Sequence, residues 1–141
     1  MKKINWGVIG TAGIAKGCTI PGMQLAENCN LYAVAGRSMD KAKAYQETFG
    51  FEVAYDSYEA LAKDPDVDIV YVATPHSRHY EDMKLMLEHG KHVLCEKSFT
   101  VDSEQAKEIF AAVLDEDKDP AAIVEERGMK QVSLPDYAEM R

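Results

Sequence analysis

Lys2–Ala15, KKINWGVIGTAGIA, is the stretch whose reading decides the fold. A short apolar run (Ile4, Trp6, Val8, Ile9) enters a turn of small residues, Gly10-Thr11-Ala12-Gly13, and leaves as a helical pattern at Ile14-Ala15. That order describes a strand, a tight turn and a helix N-terminus. The first backbone N–H groups of a helix have no partner within it, and small side chains let a phosphate approach them. Gly10 to Ala15 therefore reads as the pyrophosphate-binding turn of a dinucleotide fold. Against the GxGxxG pattern it is imperfect, with Ala12 in the place of the second glycine and Ala15 in the place of the third. A turn of small residues that serves packing alone is the competing reading. The strand before the turn and the helix after it favour the phosphate site.

Downstream, strands and helices alternate. Leu31–Ala35 reads as a second strand, followed by a helix capped by Ser38 and closed by Gly50. Residues 51–54 form a third, short strand, and a small helix around Tyr58 and Leu61 stops at Asp64-Pro65. Val67–Ala73, VDIVYVA, is β-branched and almost continuously apolar, as suits an inner parallel strand covered on both faces. A helix over Tyr80–His89, a strand at His92–Cys95 and a helix from about Asp102 complete the series. The first helix, from near Gly13, is expected to kink or end at Pro21-Gly22. Five strands alternating with helices predict an α/β fold, a doubly wound parallel sheet, over residues 1–112. Residues 113–141 read as a short helical tail, with Asp119-Pro120 opening a helix and Met129–Leu134 open to an edge-strand reading.

Length and composition narrow the function. The 141 residues suffice for one core, and 46% hydrophobic content excludes wholesale disorder. A net charge of −8 leaves no basic footprint for nucleic acid or an anionic membrane. An anionic partner must then be held by local donors. Three cysteines (Cys18, Cys29, Cys95), far apart and without a CxxC pair, fit a reducing, cytoplasmic setting, with Cys95 as buried filler. Lys2 and Lys3 before an apolar run imitate a signal peptide, but Lys16 interrupts the run.

Cofactor choice is read at the end of the second strand. NAD sites place an acid there for the ribose 2′-hydroxyl, whereas this chain has Gly36-Arg37-Ser38. Arg37 offers a planar fork of donors for a phosphate, with Ser38 and Lys41 nearby, so NADP(H) is expected over NAD(H). A solvated surface arginine is the alternative. Ligands in open α/β sheets lie outside the carboxyl ends of the strands, which places Thr74-Pro75-His76-Ser77-Arg78-His79 and Glu96-Lys97-Ser98 in the same crevice as the glycine turn. Lys97 reads either as a proton donor beside a hydride acceptor or as half of an exposed charged pair with Glu96. His76 and His79 lack a third ligand nearby, so no metal is expected.

WGVIGTAGIA, AVAGRS, DIVYVATPHSRHYE and GKHVLCEKS, in this order and spacing, resemble the N-terminal domain of the Gfo/Idh/MocA oxidoreductases over residues 1 to about 112. The resemblance implies a nicotinamide cofactor on the turn formed by Gly10, Thr11, Ala12, Gly13, Ile14 and Ala15. It implies adenosine-ribose contacts at Arg37 and Ser38, and nicotinamide-side contacts at Thr74, Pro75, His79 and Glu96. Lys97 matches the catalytic lysine of that family. Ser98 replaces the proline of its EKP motif, which is expected to loosen the aim of Lys97. Family members continue into a sixth strand and a large substrate domain. Here residues 106–133, AKEIFAAVLDEDKDPAAIVEERGMKQVS, resemble instead a helical segment of the B subunit of tRNA-dependent amidotransferases. The expectation is a spliced or truncated chain that binds NADP(H) without turnover. An oxidoreductase completed by another chain and a structural chimera without ligand function are the alternatives. Partners are expected to be the dinucleotide and, through the face left by the absent domain, a second copy of the chain.

Overall fold

The computed structural model describes residues 3–113. The expectations for the tail from residue 114 onward, including the helix at Asp119-Pro120 and the strand at Met129–Leu134, lie outside the described residues. Five strands form one parallel sheet: β1 Ile4–Ile9, β2 Cys29–Ala35, β3 Val53–Tyr55, β4 Ile69–Val72 and β5 His92–Cys95. Their order is β3-β2-β1-β4-β5, so the winding reverses between β1 and β4. The doubly wound α/β fold is thereby present. The helices are α1 Ile20–Leu25, α2 Met39–Phe49, α3 Tyr58–Lys63, α4 His79–Glu88 and α5 Ser103–Val113.

Period-two alternation along the strands sorts side chains onto two cores. Ile9, Val70 and Val72 pack with Leu61, Met83, Met86 and Ile109 beneath α3, α4 and α5. Val8, Tyr71 and Ala73 pack with Ala15, Ile20, Met23 and Val34 on the side of α1. The inner strand β4 is covered on both faces, as its apolar run predicts. The last strand, β5, is not. Leu94 is exposed, and Cys95 is half-buried where the sequence suggests full burial. An apolar groove follows, of about 530 Å³, between β5 and α5, with Leu94, Phe99, Phe110 and Val113 among its walls.

Of the kink or end expected at Pro21-Gly22, the first helix avoids the end. It starts at Gly13 and does not end at Pro21. Residues Ala15–Thr19 form a π-helical turn, in which the Ile20 N–H donates to the Ala15 carbonyl, and α1 continues to Leu25 with proline in its first turn. Proline lacks an N–H and its ring collides with the carbonyl four residues back. The wider π turn relieves both constraints, so the helix passes through. Ser38 stands at the N-cap of α2 as expected, yet its side chain makes no capping hydrogen bond. No helix of the described residues is long and apolar enough to cross a membrane.

Gly10 has φ +87, and a Cβ there would lie 2.5 Å from the Ala73 carbonyl oxygen and 2.8 Å from the Thr74 nitrogen. The clash is with backbone, which cannot rotate away. Gly10→Ala is expected to destabilise the fold by about 2–5 kcal/mol, from strain and overpacking together, as read by chemical denaturation.

Candidate functional site

The site is built by register. Ile9 pairs with Ala35 and with Val72, and Val72 pairs with Cys95, so four strands end at one level. The residues that follow them are Gly10, Gly36, Ala73 and Glu96, and their loops therefore meet. Between them lies a crevice of about 640 Å³ at the point where the winding reverses. Gly10, Thr11, Ala12 and Ile14 line it from the turn after β1, and Arg37 lines it from the end of β2. Tyr58 enters from α3, Ala73, Thr74, Pro75 and His76 from the loop after β4, and Glu96 and Lys97 from the end of β5.

The glycine turn is locked to both neighbours. The Gly10 N–H donates to the Ala35 carbonyl at 3.2 Å, and the Ala73 N–H donates to the Ile9 carbonyl at 2.9 Å. Ala15 is fully buried beneath the turn and does not line the crevice. Gly13 also lies outside the lining, and a Cβ there would meet nothing within 4 Å. Ile14 is an exposed large apolar side chain in the crevice wall.

Arg37 is exposed, and Ser38 beside it is exposed but outside the lining. Tyr58 sits with the Arg78 guanidinium 5.9 Å from its ring centroid. Arg78 in turn is anchored by the buried carboxylate of Asp82 at 2.9 Å. Burial pushes the Tyr58 phenol up, the charge of Asp82 adds to this, and Arg78 and Arg37 oppose it.

Thr74 is buried, and its Oγ1 has no hydrogen-bond partner among the described residues. His79 is fully buried and stands behind the crevice, not in its wall. Its Nδ1 lies 2.6 Å from the Ser98 carbonyl oxygen and its Nε2 lies 2.9 Å from that of Thr74. Both facing atoms are carbonyl oxygens, so the ring lies between two acceptors from different loops. His79 thus ties the loop after β4 to the loop after β5. It also restrains the backbone next to Lys97, where the sequence has Ser98 in place of proline. Glu96 is half-buried and accepts from the Tyr71 hydroxyl at 2.5 Å, while Lys97 is exposed. Among the described residues no three His, Cys, Asp or Glu side chains gather as a metal site.

Residues 4–123 match the oxidoreductase family with an NAD-binding Rossmann fold, Gfo/Idh/MocA. The chain belongs to that family. The trans-1,2-dihydrobenzene-1,2-diol dehydrogenase of Xenopus laevis is 39% identical over 109 residues, 77% of this chain and 33% of that protein. The D-xylose 1-dehydrogenase (NADP(+)) of Hypocrea jecorina is 41% identical over 118 residues, 75% of this chain and 30% of the relative. A solved structure of a 3-ketoreductase from Actinomadura kijaniata, in complex with TDP-benzene and NADP, superposes with a TM-score of 0.76 at 38% identity. That superposition covers 91% of this chain and 37% of the other. The chain spans about a third of the length of these relatives. The Gfo/Idh/MocA match runs on to residue 123, beyond the boundary expected at about residue 112 and into the stretch that reads as spliced.

Nine of the residues singled out from the sequence line one crevice: Gly10, Thr11, Ala12, Ile14, Arg37, Thr74, Pro75, Glu96 and Lys97. Gly13, Ala15, Ser38 and His79 stand outside its lining. Tyr58, in the wall, is not among the site residues read from the sequence; His76, placed in the crevice with its loop, is there assigned no cofactor contact. The sequence signal for Tyr58 was its place in the first turn of a helix after β3, at the same end of the sheet.

Tyr71 and Tyr55 are both pushed up to about 12. Burial is the main cause for each, with hydrogen bonds to Glu96 and Asp64 respectively adding to it. The folded state then keeps protons that the unfolded chain loses near the ordinary phenol value. The stability contributed by these two groups is complete below about pH 10 and is lost as pH rises towards 12. Absorbance at 295 nm is expected to show two late phenol titrations, one of them absent in Tyr71→Phe and the other in Tyr55→Phe.

Proposed function

We propose that this chain is the NADP(H)-binding half of a Gfo/Idh/MocA oxidoreductase and that by itself it holds the cofactor without turning it over. The observation that carries the reading is the convergence of the glycine turn, Arg37, Thr74, Glu96 and Lys97 on one crevice at the reversal of the winding. The residues fit a dinucleotide. The helix starting at Gly13 presents backbone N–H groups without helical partners, and the free space at that glycine leaves a phosphate room to approach. Thr74 Oγ1 is a buried polar atom with no partner among the described residues, in the crevice that Arg37 also lines. Arg37 and Ser38 would hold the 2′-phosphate, and Thr74, Pro75 and Glu96 the nicotinamide half. A nicotinamide placed there supplies or accepts a hydride, and Lys97 would hold the proton exchanged with the substrate oxygen. The A. kijaniata 3-ketoreductase complexes with NADP and the NADP(+) xylose dehydrogenase support this cofactor.

Turnover requires a substrate held over the nicotinamide, and the relatives extend about three times as far as the matched region. The second reading, an enzyme completed by another chain, predicts cofactor-dependent reduction of small sugars or diketones that is abolished by Lys97→Ala. Titration with NADPH and NADH, followed by nicotinamide fluorescence, tests the first. NADPH is expected to bind more tightly, and Arg37→Ala to weaken NADPH ~10-fold with little effect on NADH. Absence of binding by either nucleotide overturns the reading.

We propose further that residues 113–141 form a unit distinct from the dinucleotide-binding domain of residues 1–112 and cover the apolar groove beside β5, on this chain or on a second copy. Val113 already stands in the groove wall, and uncovered apolar surface of this kind favours association. Deletion of residues 115–141 is expected to lower solubility and the denaturation midpoint, and unchanged values overturn the proposal. The origin of that unit as a splice from an amidotransferase B subunit rests on the pattern KDPAAIVEERGMKQ. Sequencing the source gene across codons 100–141 tests it, and an uninterrupted Gfo/Idh/MocA reading frame overturns it.

A further inference from the structure

Tyr71 is the one aromatic residue in an otherwise aliphatic β4, IVYV, and its side chain is 2% exposed. A phenol hydroxyl buried this deeply is costly unless it is hydrogen-bonded. It finds two partners, one just past the end of β5 and one in the first helix. Its oxygen is 2.5 Å from Glu96 Oε1, at the end of β5, and 3.0 Å from Thr19 Oγ1, the last residue of the π turn. The phenol has one proton and a carboxylate only accepts, so the Tyr71 hydroxyl donates to Glu96 and the Thr19 hydroxyl donates to Tyr71. A directed chain of two hydrogen bonds thus runs from the helix that follows the glycine turn, through the core, to the acid in the crevice wall. The second carboxylate oxygen, Oε2, has no hydrogen-bond partner among the described residues.

We propose that Tyr71, backed by Thr19, is a positioning residue that fixes the Glu96 carboxylate, so that one oxygen is held by the fold and the other faces the nicotinamide half of the ligand. This rests on the dinucleotide reading of the crevice. Tyr71 itself touches no ligand. Its contribution is to remove the rotational freedom of a glutamate side chain before binding, which a loose Glu96 would otherwise lose on binding. The same chain couples the π turn to Glu96, so a change at Thr19 acts on the far side of the crevice without contacting it.

The test uses the full 141-residue chain with two probes: NADPH, and adenosine 2′,5′-bisphosphate, which lacks the nicotinamide half. Tyr71→Phe keeps the ring and its packing and removes the donor. It is expected to weaken NADPH about 5–10-fold while leaving the bisphosphate affinity unchanged. Thr19→Val is expected to do the same to a smaller degree. Glu96→Gln combined with Tyr71→Phe is expected to lose less than the sum of the two single losses, because both act through one contact. Equal affinities for NADPH in wild type and Tyr71→Phe, or an equal loss for both probes, overturn the proposal. A second readout needs no nucleotide: Glu96→Gln is expected to move the late titration of Tyr71 to lower pH, and an unmoved titration overturns the Tyr71–Glu96 link. Failure of the wild-type chain to bind either probe overturns the dinucleotide reading itself, and the titration separates that outcome from a failure of the link.

Discussion

The whole crevice depends on the contact between Gly10 and the backbone at Ala73 and Thr74. Those two backbones approach so closely that any side chain at Gly10 would overlap the Ala73 carbonyl. The contact sits where the winding reverses, so it is the point at which the β1-β2-β3 half of the sheet meets the β4-β5 half. Because four strands are in register at their carboxyl ends, closing this one contact brings four loops together. The chemistry of the site then follows from what each loop carries: small residues, a guanidinium, a buried hydroxyl, and a glutamate followed by a lysine.

Behind the wall, buried polar side chains add ties between segments to those made by the hydrogen bonds of the sheet. His79 bridges the carbonyls of Thr74 and Ser98. Tyr71 joins Thr19 and Glu96. At the opposite end of the sheet, buried Lys91 donates to the carbonyls of Asp64 and Val67 and fixes the entry to β5 against the turn before β4. Each is a polar group taken out of water, and each is tolerated because it finds hydrogen-bond partners inside. Such ties are rigid in a way that apolar packing is not, since they specify partners as well as volumes.

Much of this was legible in the residues. The strand-turn-helix at Lys2–Ala15 and the alternation of apolar runs with Gly- and Pro-punctuated helices carried the fold class, because these signals are local and periodic. Arg37 in place of an acid was legible for the same reason, since the end of the second strand is a position that can be counted. The path of the first helix through Pro21 was not. The π turn that carries the helix past Pro21 leaves no periodic mark of its own. The exposure of Leu94 and half-burial of Cys95 were hidden too. The composition of a strand does not say whether a further layer covers it.

The sequence by itself determined the order of elements, the parallel α/β class and the residues placed at the carboxyl ends of the strands, since each depends on neighbours in the chain. Only the tertiary structure decided which of those residues face the crevice. It set Tyr58 and His76 in the wall, withdrew His79 into the core as a tie between loops, and placed Ala15 beneath the turn and not on it. The physical reason is that facing is a property of register and burial between segments far apart in the chain, such as β1 with β4. Two of the polar contacts behind the site, Tyr71 with Glu96 and His79 with Ser98, join residues that share no periodic pattern.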